Sequence, residues 1–115
     1  MVNIPNISWP TPPNACPSSH LGTIPVGTRI TVAGLVILRQ RPGTANGVIF
    51  ITLEDEDGVV NIIVWRKLYE TYRRAIISGR LLSITGRIQR DNGVIHVIAE
   101  TIQDRSDLLD TLLCS

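Results

Sequence analysis

Residues 59–76 read Val59-Val60-Asn61-Ile62-Ile63-Val64-Trp65-Arg66-Lys67-Leu68-Tyr69-Glu70-Thr71-Tyr72-Arg73-Arg74-Ala75-Ile76. The first six alternate with the period of two of a half-buried strand: Val60, Ile62 and Val64 are core candidates and Asn61 faces out. From Trp65 the period changes. Trp65, Leu68, Tyr69, Tyr72, Ala75 and Ile76 recur at helical spacing, Arg73 and Arg74 lie toward the end where cations complement the helix dipole, and Gly79 marks a stop. A single helix of about three turns is predicted directly after a strand. Trp65 could offer a stacking ring, but it is in phase with Leu68 and Tyr72 and is assigned to the buried face of the helix.

Upstream, in residues 48–54, Ile49, Ile51 and Leu53 take one face of a strand and Phe50 and Thr52 the other. Glu54-Asp55-Glu56-Asp57-Gly58 then makes an acidic hairpin turn into residues 59–64, its spacing unlike that of a calcium loop. Residues 29–41 form a first strand too long to run straight. Ala33-Gly34 interrupts its apolar phase, and a bulge is expected there so that the strand bends and serves two sheet faces. Residues 41–47 are read as a loop. Downstream, residues 80–90 alternate, with Leu82, Ile84, Gly86 and Ile88 inward and Ser83, Thr85, Arg87 and Gln89 outward. Asp91-Asn92-Gly93 is a hairpin signal because Asn-Gly tolerates positive φ, and residues 94–101 return with Ile95, Val97 and Ala99 inward and His96 outward. Three strands, a helix and two strands, opened by a long bent strand, are the order of an all-β, five-stranded OB-fold Greek-key barrel. An SH3-like barrel fits less well, because the helix falls between strands three and four.

The barrel is expected over residues 28–105 of the 115. Residues 1–27 are rich in Pro, Asn, Ser and Thr, and are read as a flexible linker. Residues 106–115 form a short tail whose Leu108-Leu109 and Leu112-Leu113 pairs fit an amphipathic helix. One small domain excludes a whole polymerase, kinase or dehydrogenase. The N-terminal stretch has neither the basic start of a signal peptide nor the apolar run of a membrane span, so a cytosolic context and no membrane partner are expected. Cys16 and Cys114 lack paired metal or redox spacing and are read as free thiols.

The net charge is +1, but all 11 Lys and Arg lie between Arg29 and Arg105, where eight acids leave 11 − 8 = +3. Four of those acids are consecutive in one turn, so the remaining barrel surface is more basic than the total implies. An OB barrel binds single strands across strands two and three, stacking bases on exposed aromatics beside a basic groove. Phe50, the one Phe of the chain, falls on the outward phase, where an apolar ring has little structural reason to be; the bland alternative packs it under the loop after strand one. Arg39, Arg41 and Arg87 are expected to border that face and neutralise phosphates, or else to be solvated surface; Thr52 and Asn61 offer hydrogen bonds to base edges or water. His20 and His96 have no partners at catalytic or ligand spacing, and Gly43 and Gly47 lack the Lys and Ser/Thr of a phosphate loop. No catalytic residue, metal or cofactor is assigned.

The run Val32 to Ala45, with its Arg39-Gln40-Arg41-Pro42-Gly43 loop, and the run Gly47 to Gly58 together resemble the OB domain near the C-terminus of the bacterial error-prone DNA polymerase III alpha subunit. Asn61-Ile62-Ile63-Val64-Trp65, Tyr72-Arg73-Arg74 and Gly86-Arg87-Ile88-Gln89-Arg90 continue the likeness. The resemblance implies a non-catalytic module that holds single-stranded DNA template during replication or translesion repair synthesis, alongside other domains of a parent polymerase whose catalytic carboxylates lie elsewhere. More distantly, the stretch is similar to the anticodon-binding OB domain of class II aminoacyl-tRNA synthetases. There a Phe on the second strand stacks a base and a Gln on the third reads a base edge; Phe50 and the shorter Asn61 fall at those positions, which leaves RNA as an alternative ligand. A module that docks proteins is the other alternative. The isolated domain is expected to be a monomer.

Overall fold

A computed structural model describes residues 15–41 and 47–109. The strands are β1 (Arg29–Gln40), β2 (Ile49–Asp55), β3 (Gly58–Val64), β4 (Leu81–Asp91) and β5 (Val94–Asp104), closed into a barrel in the order β1-β2-β3-β5-β4. Helices α1 (Arg66–Thr71) and α2 (Arg73–Ser78) lie between β3 and β4. This is the predicted OB architecture. The alternation that predicted it also sets the core: Ile49, Ile51 and Leu53 of β2, Val60, Ile62 and Val64 of β3, and Ile84, Ile88 and Val97 across the hairpin are buried.

Strand β1 serves two neighbours, Arg29 to Leu35 pairing with β4 and Leu35 to Gln40 with β2. The irregularity falls between Val36 and Leu38 rather than at Ala33-Gly34. Gly34 has a different duty, because a Cβ there would sit 2.6 Å from the Glu54 carbonyl oxygen. Gly86 is tighter still: a Cβ would lie 2.1 Å from the Ile98 carbonyl oxygen, next to the register shift between Thr85 and Gly86. The antiparallel β4–β5 ladder runs from Leu82 to Asp91, turning through Asn92 and Gly93 at φ of 52° and 80°. By contrast, the parallel β3–β5 seam that closes the barrel joins only Asn61, Ile62 and Ile63 to His96, Val97 and Ile98.

Three further expectations are corrected by the structure. The single helix is two, broken at Tyr72 (φ −114°, ψ 26°), so that Leu68 and Tyr69 before the break and Ala75 and Ile76 after it all pack on the core. Trp65 is not core: it precedes α1 on extended backbone (φ −73°, ψ 151°) and is 51% exposed. Its phase belongs to β3 rather than to the helix.

The third concerns residues 15–27, which pack on the barrel where a linker was expected. The Cys16 amide donates to the Thr31 carbonyl at 2.7 Å. Ser18–Thr23 forms a 3-10 turn that buries Leu21 in the core, a burial worth about 2 kcal/mol. Ser18 donates its amide (2.8 Å) and its hydroxyl (2.6 Å) to the Asp55 carboxylate, and the Ser19 hydroxyl donates to Asp57 at 2.8 Å. Burial pushes the Asp55 carboxyl up, but these bonds and those from the Asp57 and Gly58 amides outweigh it and hold it below the usual range. The acidic turn is thus the dock for the incoming chain. Burial, reinforced by Asp55, pushes the free Cys16 thiol up. The readings of residues 1–14, of Cys114 and of tail residues 110–115 lie outside the described residues, as do loop residues 42–46; residues 106–109 form one helical turn. No helix among the described residues is long and apolar enough to cross a membrane.

Candidate nucleic-acid interface

Directly paired residues on neighbouring strands share a face, with Cβ atoms roughly 5 Å apart. Two outward rows follow from the register. One runs Gln40, Phe50, Ile63 and Ile98 across β1, β2, β3 and β5; the other runs Leu38, Thr52, Asn61 and His96. Phe50, Thr52 and Asn61 therefore share one patch, as the alternation predicts, and Thr52 and Asn61 are register partners. All three are half-buried, with the β2–β3 core residues buried beneath them. Trp65 extends the patch. Its extended backbone continues the alternation of Asn61 and Ile63, placing it on the same outer phase one step beyond Ile63. Sequence reasoning weighed a stacking role for it but assigned it to the core, because Trp65 also falls at helical spacing from Leu68 and Tyr72. The extended residue that starts a helix belongs to both patterns, and here the strand pattern governs.

The three arginines do not gather on this face. The Arg39 Nε donates to the Ile76 carbonyl at 2.6 Å and its terminal nitrogen donates to the Gly79 carbonyl, so its guanidinium satisfies the unpaired carbonyls at the end of α2. Arg41 lies with its guanidinium 4.8 Å from the centre of the Tyr69 ring on α1, an arrangement that leaves it exposed. Arg87 stands three strands away from Phe50 along the outer row, opposite Ile98 on one side and Arg29 on the other. There it pairs with Glu100 at 3.2 Å and donates to the Gly27 carbonyl at 3.0 Å, while Arg29 holds the other Glu100 oxygen at 3.0 Å. The expectation that Arg39, Arg41 and Arg87 border one face is thereby corrected. Arg39 and Arg41 end β1 against the helices, and Arg87 belongs to an ion-paired cluster with Arg29 and Glu100 on another wall.

A small groove of about 130 Å³, lined by Arg39, Gln40, Arg41, Ile49, Tyr69, Ile76 and Ile77, separates the end of β1 from the helices. Gln40, the register partner of Phe50, joins it to the aromatic patch. Among the described residues no group of three or more His, Cys, Asp or Glu is placed to hold a metal ion. The surface offers aromatic planes, amide and hydroxyl groups and guanidinium edges.

The chain belongs to the OB-fold nucleic acid binding domain family, whose model matches residues 30–105. Within that class it is similar to error-prone DNA polymerases. It is 52% identical over 103 residues to the error-prone DNA polymerase of Ruegeria pomeroyi, which covers 90% of this chain and 9% of the polymerase. It is 50% identical over 95 residues to error-prone DNA polymerase 1 of Rhizobium meliloti, covering 83% of this chain and 8% of that protein. The chain thus spans less than a tenth of the length of these relatives. Among solved structures, asparaginyl-tRNA synthetase from Pyrococcus horikoshii superposes with a TM-score of 0.58 at 26% identity, over 68% of this chain and 20% of the synthetase. An OBody bound to hen egg-white lysozyme shares the fold, with a TM-score of 0.64 at 15% identity over 83% of this chain and 94% of that one.

Proposed function

We propose that this domain is the non-catalytic single-strand-binding module of an error-prone DNA polymerase, holding DNA template across the outer face of β2 and β3. The observation that carries the reading is the shared outward phase of Phe50, Thr52 and Asn61 on those two strands, continued by the extended Trp65 just past β3. Bases stack on the two rings, and Thr52 and Asn61 meet base edges or the waters around them. Every base has a π-face, so sequence preference is weak. The similarity to error-prone polymerases supports DNA as the ligand; nucleotidyl transfer belongs to other parts of such a protein.

The test is titration of a labelled oligothymidylate by fluorescence anisotropy, repeated with the ribo-oligonucleotide. Binding that weakens by about 1–3 kcal/mol in Phe50→Ala and again in Trp65→Ala supports the reading. Absence of binding at low salt overturns it, and tighter binding of the ribo-oligonucleotide moves the ligand to RNA. Ile37 and Leu38, both about half exposed beside Thr52, favour a second reading in which this edge docks another domain of the parent chain.

A further inference from the structure

The sequence assigned its phosphate-binding role to Arg39, Arg41 and Arg87, and the fold employs two of these elsewhere. The distribution of the remaining cations points to a different surface. Arg29 and Arg87 share Glu100, Arg105 pairs with Asp107, Arg39 binds carbonyls of α2, and Arg90 donates to the Gly22 carbonyl. On α1 and α2 the pattern differs. Leu68, Tyr69, Tyr72, Ala75 and Ile76 pack inward, which turns Arg66, Lys67, Arg73 and Arg74 to solvent. Glu70 is the one acid on these two helices, and it reaches Arg66 at 3.6 Å with both side chains about two-thirds exposed. Among the described residues, Lys67, Arg73 and Arg74 make no ion pair or hydrogen bond through their side chains.

This cationic surface adjoins the aromatic patch. Trp65 is the residue immediately before α1. Arg41 over Tyr69 and Arg39 on the Ile76 and Gly79 carbonyls fix both helices against the end of β1, where Gln40 pairs with Phe50. A strand stacked on Phe50 and Trp65 therefore meets uncompensated positive charge in one direction, over the helices. In the other direction, across β5 and β4, it meets Arg87 and Arg29 already engaged by Glu100, a cluster of 2 − 1 = +1, against 4 − 1 = +3 on the helices. The two six-residue helices span at most about 18 Å at 1.5 Å per residue, enough for several phosphates.

We infer that α1 and α2 form a phosphate-binding extension of the interface, in which Lys67, Arg73 and Arg74 carry the backbone of a single strand leaving the β2–β3 face at Trp65. The inference rests on the single-strand reading above and adds to it a direction and a site size. The experiment compares two labelled oligothymidylates, one of about four nucleotides and one of about sixteen, the limits of OB-fold site size. The protein is the 115-residue chain, with and without the combined changes Lys67→Gln, Arg73→Gln and Arg74→Gln.

The longer strand is expected to lose roughly tenfold in affinity at low salt and about 2 from its log–log salt slope, at ~0.7 per phosphate for three phosphates. The shorter strand, held by the aromatics alone, keeps its affinity within about twofold. The charge-keeping pair Arg73→Lys and Arg74→Lys should retain the affinity of the parent for the longer strand, and an unchanged thermal midpoint in each variant confirms that folding is intact. An unaltered salt slope on the longer strand, or equal losses on both lengths, overturns the helical extension while leaving the aromatic face in place. If the parent chain binds neither length, both readings fail together.

Discussion

Two walls of the barrel carry their cations in different ways. On the β1–β4 wall, Arg29 and Arg87 are register partners whose repulsion is relieved by one carboxylate, Glu100, at 3.0 and 3.2 Å. At the β2–β3 wall and its adjoining helices, aromatic side chains stand outward and the neighbouring cations are spread over α1 and α2 with Glu70 as their one acid. Counting arginines cannot tell these walls apart. What separates them is whether a carboxylate falls within a few ångströms, since a compensated guanidinium gains little by exchanging its partner for a phosphate.

The comparison presupposes that both walls belong to one closed barrel, and Gly86 is where that condition is most easily broken. Gly86→Ala forces a Cβ into the Ile98 carbonyl, so denaturant unfolding should show a loss of at least about 3 kcal/mol or no folded protein at all. A loss below 1 kcal/mol would mean that β4 and β5 separate easily at that point. Next in size are the rings. If the aromatic wall is the binding one, Phe50→Ala and Trp65→Ala each cost about 1–3 kcal/mol of oligonucleotide affinity with stability little changed at the exposed Trp65. A Trp65→Ala protein that binds normally but melts early would return that side chain to the core.

Arg39 sharpens the contrast between a structural and a binding cation. Arg39→Ala should lower folding stability by about 1–2 kcal/mol, because two carbonyls at the end of α2 lose a charged donor. Its salt slope should remain that of the parent, and a slope smaller by about 0.7 with normal stability would make it a phosphate ligand after all. Smallest is the effect on the ion-paired wall itself. Arg87→Ala is expected to change stability by less than about 1 kcal/mol and oligonucleotide affinity hardly at all. Glu100→Gln, which releases both arginines, should raise affinity at low salt only; a decrease would place Glu100 inside the interface.

The N-terminal dock adds a pH-dependent outcome. The Asp55 carboxyl is held low in the fold, so its bonds to Ser18 contribute fully above the unfolded value of about 3.9. That contribution is lost as pH falls through the lower folded value. The protection of the Ser18 and Leu21 amides, taken as exchange relative to the intrinsic rate at each pH, should fall with acid in the parent chain. In Asp55→Asn that protection should already be lower at neutral pH and should lose its acid dependence.

The barrel was legible because period-two alternation is a local signal: each strand and nearly every buried position in β2, β3 and β4 can be read from neighbours two residues apart. The patch of Phe50, Thr52 and Asn61 was legible for the same reason. Long-range contacts were not. Nothing near Arg39 in the chain reveals that its guanidinium ends on Ile76 and Gly79, roughly forty residues on. Nor does the composition of residues 15–27 reveal that Leu21 enters the core or that Ser18 meets Asp55, 37 positions away. Trp65 failed for another reason, since it lies where two periodicities overlap and only its backbone conformation decides between them.

The short parallel seam between β3 and β5 bears on how the barrel moves. It joins Asn61–Ile63 to His96–Ile98, against a ladder from Leu82 to Asp91 along β4–β5. Cooperative opening begins where the fewest bonds must break together, so this seam is the line along which the cylinder would breathe. Asn61 stands on its edge. A ligand seated across Asn61 and His96 would suture that line, slowing amide exchange in β5 at residues it never touches.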